Sequence, residues 1–179
     1  MSKTAKTSKK KKTNAKKPSA PTAMLKKQHR EVKAIFGKLE KGKGDATALL
    51  KELADNLAAH MKIEQDLYYP AIAKVDEDLI MESFEEHSLA ELGLKRLLAT
   101  DRKDEAFESR VTAVKELVEH HVEEEEEDLF PKVDRKMDPA LLADLGARME
   151  ALFVKTKAAG FEATVPKGFA KTSADVSRA

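Results

Sequence analysis

Between Leu25 and Phe153, apolar residues return every three or four positions, the spacing that gathers side chains on one face of an α-helix. Breaks in this rhythm divide the chain into five helices. The first begins near Ser19-Ala20-Pro21, where Ser can cap and Pro suits the first turn. It carries Leu25, His29, Val32, Phe36 and Leu39 on its stripe, and Gly42 and Gly44 end it. The second starts at about Asp45 and aligns Leu50, Leu53, Leu57, His60, Glu64, Leu67 and Ala71; Pro70 predicts a kink or an early end there. Asp76-Glu77-Asp78 opens the third, with acids in the favourable first turn and Ile80, Phe84, His87, Glu91, Leu94 and Leu98 on one stripe. A turn over Thr100 to Asp104 leads to the fourth, which aligns Phe107, Val111, Val114, Val118, His121, Glu125 and then Asp128 or Leu129. Pro131 takes the place in it that Pro70 has in the second. Asp138-Pro139 starts the fifth, which runs to about Ala159 with Leu141, Leu145, Leu152 and Phe153 facing inward, and Gly160 ends it. Residues 161–179 read as polar and extended, with Phe161 and Phe169 as candidates to pack back.

Short turns make sequence neighbours antiparallel. The expected fold is therefore all-α: an antiparallel up-down four-helix bundle with an additional C-terminal helix, spanning residues 22–159. Residues 1–21 form a disordered basic tail and 160–179 a C-terminal tail in this reading. With 41% hydrophobic residues, 5% aromatics and no Trp, Leu, Ile, Val and Ala must fill most of the core. The absence of Cys excludes disulfides, thiolate metal sites and cysteine nucleophiles, so any metal must be held by nitrogen and oxygen. No apolar run approaches the ~18 residues of a membrane span, and no apolar segment follows the N-terminal charges as in a secretory signal. A cytoplasmic location is the resulting expectation.

The near-neutral formal charge of +1 hides an asymmetry. Eight of the 33 basic residues lie within residues 1–23, which contain no acid; the remaining 25 face 32 acids, a net of −7. Residues 3–17 could touch a nucleic acid or another polyanion through counterion release, or simply keep the chain soluble. The segment has no Arg and no aromatic residue, so nothing in it suggests base readout or stacking.

What changes the picture is polar: each of four stripes that should be wholly apolar contains a His, and three contain a Glu. A buried carboxylate costs on the order of several kcal/mol unless a cation or hydrogen bonds compensate it. Packing alone therefore does not explain Glu64, Glu91 and Glu125. The heights agree as well. At ~1.5 Å per residue, His29 and His60 lie roughly 18 and 22 Å from the turn between their helices. His87 and His121 are similarly balanced about the turn near Arg102, and Glu64 and His87 about that near Asp76, which puts all four histidines in one layer. The chain also repeats itself. Gln28-His29 through Pro70 parallels Glu86-His87 through Pro131, with His-to-His separations of 31 and 34 residues. In both halves the second His is followed by three residues, Glu, three residues, two bulky residues and Pro. A two-fold repeat of helix pairs suits two metals at the bundle axis rather than one.

Plainer roles exist for each residue. His60 and His121 could be surface residues paired with Glu64 and Glu125; His29 and His87 could be satisfied core histidines; Glu91 could be solvated or outside the ligand set. His120, about 100° from His121, reads as a surface residue. Tyr68 and Tyr69 read as packing residues, with Tyr68 one turn beyond Glu64 and within reach of a metal-bound oxygen. Of the acidic run Glu123 to Asp128, only Glu125 falls on the stripe.

With its paired His-x-x-x-Glu motifs ending in bulky residues and Pro, the chain resembles the hemerythrin-like family, also called the HHE cation-binding domain, over about residues 22–135. The resemblance implies a four-helix bundle holding a non-haem di-iron centre, with Glu64 and Glu125 bridging, His29 and His60 on one iron, and His87 and His121 on the other. Oxygen-carrying members place a further His four residues after the third-helix His; here Glu91 stands there. A carboxylate at that position donates more charge and speaks against reversible oxygen carriage, while its spacing suits a seventh ligand. The His29/His60 iron then has one position open for oxygen, peroxide or nitric oxide. Nitrogen and carboxylate donors suit iron and manganese, with zinc as an alternative.

Other chemistries leave no trace. There is no Glu-x-x-His of ferritin-like bundles, no His-Glu-x-x-His, no Gly-rich phosphate loop and no Ser/His/Asp constellation. Three functions remain: a di-iron protein that binds or senses oxygen or a related small oxidant, an enzyme that consumes peroxide or nitric oxide at the same centre, and a helical interaction module with a polyanion-binding tail.

Overall fold

The computed structural model describes residues 20–165, so the Lys-rich segment, Ser19 and Phe169 lie outside the described residues. All regular structure among these residues is helical: α1 (Pro21–Glu40), α2 (Ala46–Ile63), α3 (Tyr69–Ile72), α4 (Glu77–Leu98), α5 (Phe107–Glu124), α6 (Phe130–Lys136), α7 (Pro139–Ala159) and α8 (Phe161–Thr164). Helices α1, α2, α4 and α5 close a ring, each packed on the next, and α7 covers the α1–α2 side. This is the expected four-helix bundle with an added C-terminal helix.

Local chemistry places the helix starts. The carboxylates of Asp45, Asp76 and Asp138 accept from the backbone N–H groups of Thr47, Leu79 and Ala140, supplying partners for donors that no helical carbonyl can reach. Pro21 and Pro139 occupy first-turn positions, where a missing N–H costs nothing. Gly160, at φ +85°, ends α7 in a conformation that favours glycine, and the following Phe161 N–H donates to Asp55 Oδ1 at 2.9 Å.

The passages at Pro70 and Pro131 depart from a simple kink or stop. Residues Glu64–Tyr68 and Glu125–Leu129 each form a π turn, closed by Tyr69 N–H to Glu64 O and Phe130 N–H to Glu125 O. Proline cannot donate to the carbonyl four residues back and clashes with it. The wider turn moves that carbonyl out of the way, and the helix resumes as α3 or α6. One extra residue in the turn also rotates everything beyond it. The large apolar side chains buried next after Glu64 are Tyr68, Tyr69 and Ile72, not Leu67 and Ala71; after Glu125 they are Leu129 and Phe130, and Asp128 is exposed.

Two further expectations change. Leu141 points to solvent, 63% exposed, and Leu142, Leu145 and Met149 carry the inner face of α7. Leu141 sits one position, about 100°, off that face. Residues after Gly160 do not start extended: Phe161 opens the short α8 and is buried in the core.

The core has two parts. One gathers Phe36, Leu50, Leu53, Leu57, Leu94 and Val111; the other gathers Leu25, Ile63, Ile72, Phe84, Phe130 and Met149. The histidine layer lies within this apolar interior. No helix among the described residues is long and apolar enough to cross a membrane.

Candidate metal centre

His29 on α1, His60 on α2, His87 on α4 and His121 on α5 meet inside the bundle, each at most 6% exposed. Their Nε2 atoms face inward in two pairs: His29 to His60 at 3.1 Å and His87 to His121 at 3.1 Å. Glu64 and Glu125, the first residues of the two π turns, enter between the pairs. Glu64 Oε2 lies 3.3 Å from His60 Nε2 and 3.4 Å from His87 Nε2. Glu125 Oε2 lies 3.3 Å from His29 Nε2 and 3.7 Å from His121 Nε2. Each carboxylate thus faces one imidazole of each pair.

An outer ring fixes the imidazoles. His29 Nδ1 meets Glu126 Oε1 at 2.8 Å, His60 Nδ1 meets Gln28 Oε1 at 2.7 Å, and His121 Nδ1 meets Glu86 Oε2 at 2.8 Å. These oxygens only accept, so each Nδ1 carries the proton and a neutral ring leaves Nε2 bare toward the centre. His87 differs: the Gln65 amide Nε2 donates to its Nδ1 at 3.2 Å, so this ring is held by a donor and not by an acceptor. The pattern obeys the sequence repeat. Gln28 and Glu86 precede the first His of each half and hold the second, while Gln65 and Glu126 follow each Glu and hold the first His of the other half.

Electrostatics make this arrangement costly without a cation. Burial, with repulsion from neighbouring imidazoles, pushes His60 and His87 well below the usual histidine range. Burial, then Glu125, pushes the Glu64 carboxyl well above its ordinary value. Burial alone would raise Glu125 and lower His121, but attraction reverses both: His121 and His29 hold Glu125 down, and Glu125 and Glu86 hold His121 up. Both oxygens of Glu64 and Oε2 of Glu125 are sealed from solvent without a hydrogen-bond partner. Inward lone pairs and orphaned buried carboxylates are what bound cations would satisfy. Two nitrogens bound at right angles to a metal at ~2.1 Å would stand about 3.0 Å apart, close to the spacing within each pair.

Six of the seven residues expected as ligands therefore converge, in the groups His29, His60, Glu64, Glu125 and Glu64, His87, His121. Glu91 belongs to neither group. It is buried, with Oε2 unpartnered, and lines a separate cavity with Lys62, Gln65 and Asp66. His120 is exposed, as its position off the stripe suggested.

The tyrosines exchange roles relative to expectation. Tyr68 Oη is buried and unpartnered, whereas Tyr69 Oη donates to Glu125 Oε1 at 3.0 Å and lies 3.4 Å from His87 Nε2. The π turn brings Tyr69 onto this face, tilted against His87, and Phe130 stacks on His29 in the equivalent place. Burial, then Glu125 and Glu64, pushes the Tyr69 hydroxyl upward, so it keeps its proton.

A small cavity of about 20 Å³ touches all four histidines and is otherwise walled mainly by apolar side chains such as Val32, Leu57 and Val118. It has room for a molecule of about water size.

Comparison with known proteins agrees with this geometry. The profile of the Hemerythrin HHE cation binding domain matches residues 20–133. An uncharacterised protein of Mycobacterium tuberculosis is 28% identical over 132 residues, covering 72% of this chain and 81% of the relative; an uncharacterised protein of Mycobacterium bovis matches equally. The crystal structure of a hemerythrin HHE cation-binding-domain protein from Mycobacterium kansasii, a homologue of the M. tuberculosis protein, superposes with a TM-score of 0.70 at 30% identity. That match covers 79% of this chain and 89% of the other.

Proposed function

Because the chain belongs to the hemerythrin HHE cation-binding-domain family, we propose that its buried cluster holds two iron ions and that the protein binds or senses oxygen or a related small oxidant. His29 and His60 would hold one ion and His87 and His121 the other, with Glu64 and Glu125 shared. The observation that carries this reading is the placement of each carboxylate between one imidazole of each pair. A single cation would not need two imidazole pairs and two shared acids. Manganese or zinc would fit the donors too, but iron supplies redox chemistry and a free position for a small ligand.

The chain's own residues supply the rest. Gln28, Gln65, Glu86 and Glu126 hold the rings so that Nε2 faces inward. The apolar core on either side keeps bulk water out. The cavity beside the histidines, about water-sized and walled mainly by apolar side chains, is where a small ligand would meet the centre. Glu91, outside both ligand groups, gives no support to a seventh ligand.

Iron-loaded protein titrated without air and then exposed to oxygen, peroxide or nitric oxide should give a saturable change in its visible spectrum at stoichiometric ligand. No response to any of the three would overturn the reading. The Tyr69 hydroxyl favours a second reading, consumption of peroxide or nitric oxide, because it keeps a proton beside Glu125 and His87. Sustained loss of many equivalents of ligand per chain in the same titration would select it.

A further inference from the structure

We propose that Glu86, His120 and Glu124 form a second divalent-cation site, suited to zinc, on the outer side of the α4–α5 pair. His120 and Glu124 are four residues apart on α5 and share a face, and Glu86 reaches them from α4. His120 Nε2 lies 3.6 Å from Glu86 Oε1 and 3.6 Å from Glu124 Oε1, and one donor atom from each residue falls within 4.8 Å of the others.

His120 pairs with both carboxylates at ion-pair distance, but the pairs leave the group incompletely satisfied. Its contacts are too long for hydrogen bonds. Glu124 Oε2 is sealed from solvent and has no partner. Glu86 is 8% exposed, with Oε2 committed to His121 Nδ1 at 2.8 Å and Oε1 turned toward His120. Two carboxylates and an exposed imidazole therefore converge with one acceptor oxygen left bare. Ligands of tetrahedral zinc stand about 3.4 Å apart, so the two spacings to His120 need to close by about 0.2 Å and the two carboxylates, whose oxygens lie within 4.8 Å, by at most about 1.4 Å, a side-chain movement. An imidazole with two carboxylates selects a transition-metal cation over magnesium or calcium, and three protein ligands leave a fourth position to water. Glu86 is shared: one oxygen orients His121 in the inner centre and the other faces the outer site. The proposal stands whatever the inner centre holds, because His120 and Glu124 belong to neither inner group.

The test is calorimetric titration of Zn2+ into the untagged full-length protein, with inner metal content measured beforehand. His120→Ala and Glu124→Gln are compared with wild type. Wild type should take up one more equivalent of Zn2+ than either variant, or bind that equivalent at least tenfold more tightly. Circular dichroism should show equal folding, since His120 is largely exposed. Either variant matching wild type in both stoichiometry and affinity overturns the site.

Discussion

Replacing Gln28 by Ala isolates the outer ring from the ligands themselves. Gln28 is buried, and its Oε1 accepts from His60 Nδ1 at 2.7 Å. The substitution leaves every inward-facing atom in place but strips His60 of the acceptor that fixes its tautomer. A buried donor left unsatisfied costs about 1–3 kcal/mol, so the metal-free variant should melt roughly 4–8 °C below wild type for a loss near 2 kcal/mol. Loss of such a partner typically lowers metal affinity by about 10–100-fold, or about 1.4–2.8 kcal/mol. Gln28→Glu copies the other half of the molecule, where Glu86 plays this part for His121, and should restore affinity to within about threefold of wild type. The assay is metal occupancy after equilibration against a chelator series, with Lys27→Ala as a control on an exposed neighbour. If Gln28→Ala holds metal as tightly as wild type, the outer ring does not orient the ligands and this reasoning fails.

Tyr69→Phe removes the hydroxyl that donates to Glu125 Oε1; a hydrogen bond to a charged group contributes about 1.5–3 kcal/mol, so the melting temperature should fall by several degrees while metal content holds, and an unchanged melt would contradict the bond. The metal-free protein should lose stability as pH falls just below 6.5. His60 and His87, pushed down by burial, refuse protons that the unfolded chain takes up below 6.5, whereas Glu64, pushed up by burial, keeps one that the unfolded chain lacks above 4.5. Glu91 and Glu124, also pushed up by burial, offset the loss further toward 4.5, so denaturant melts should show stability dropping as pH falls just below 6.5, where the two histidines act, and the drop flattening toward 4.5; a rise just below 6.5 would contradict the histidine assignment. Leu142→Ala should cost about 2–4 kcal/mol in the same melts and Leu141→Ala less than about 0.5, since only the first faces the core.

The cluster was legible because ligands in a helix bundle leave two marks in one dimension: a polar residue on an apolar stripe, and equal distances from a turn. His29, His60, His87, His121 and Glu64 show both, and Glu125 shows the first and repeats the place of Glu64 in the other half. The π turns leave only Pro70 and Pro131, which read as a kink or a stop, and the one-residue rotation they impose hid Tyr69 behind Tyr68. Gln28, Gln65, Glu86 and Glu126 stand beside the stripe, where a residue turned inward cannot be told from one facing water. The recurrence of Gln28-His29 as Glu86-His87 was their one visible sign. Glu91 met the stripe test as well as Glu64 did, yet it faces another cavity, because helical spacing fixes a face but not how far the side chain reaches.

The central claim is that two cations compensate the buried imidazoles and carboxylates. Metal analysis of the aerobically purified, untagged protein tests it most directly, alongside His60→Ala and Glu125→Ala. Wild type should carry about two irons per chain with a visible charge-transfer spectrum, and both variants should lose metal and stability together. A folded wild-type chain that carries one metal or none after reconstitution with ferrous iron would contradict the account.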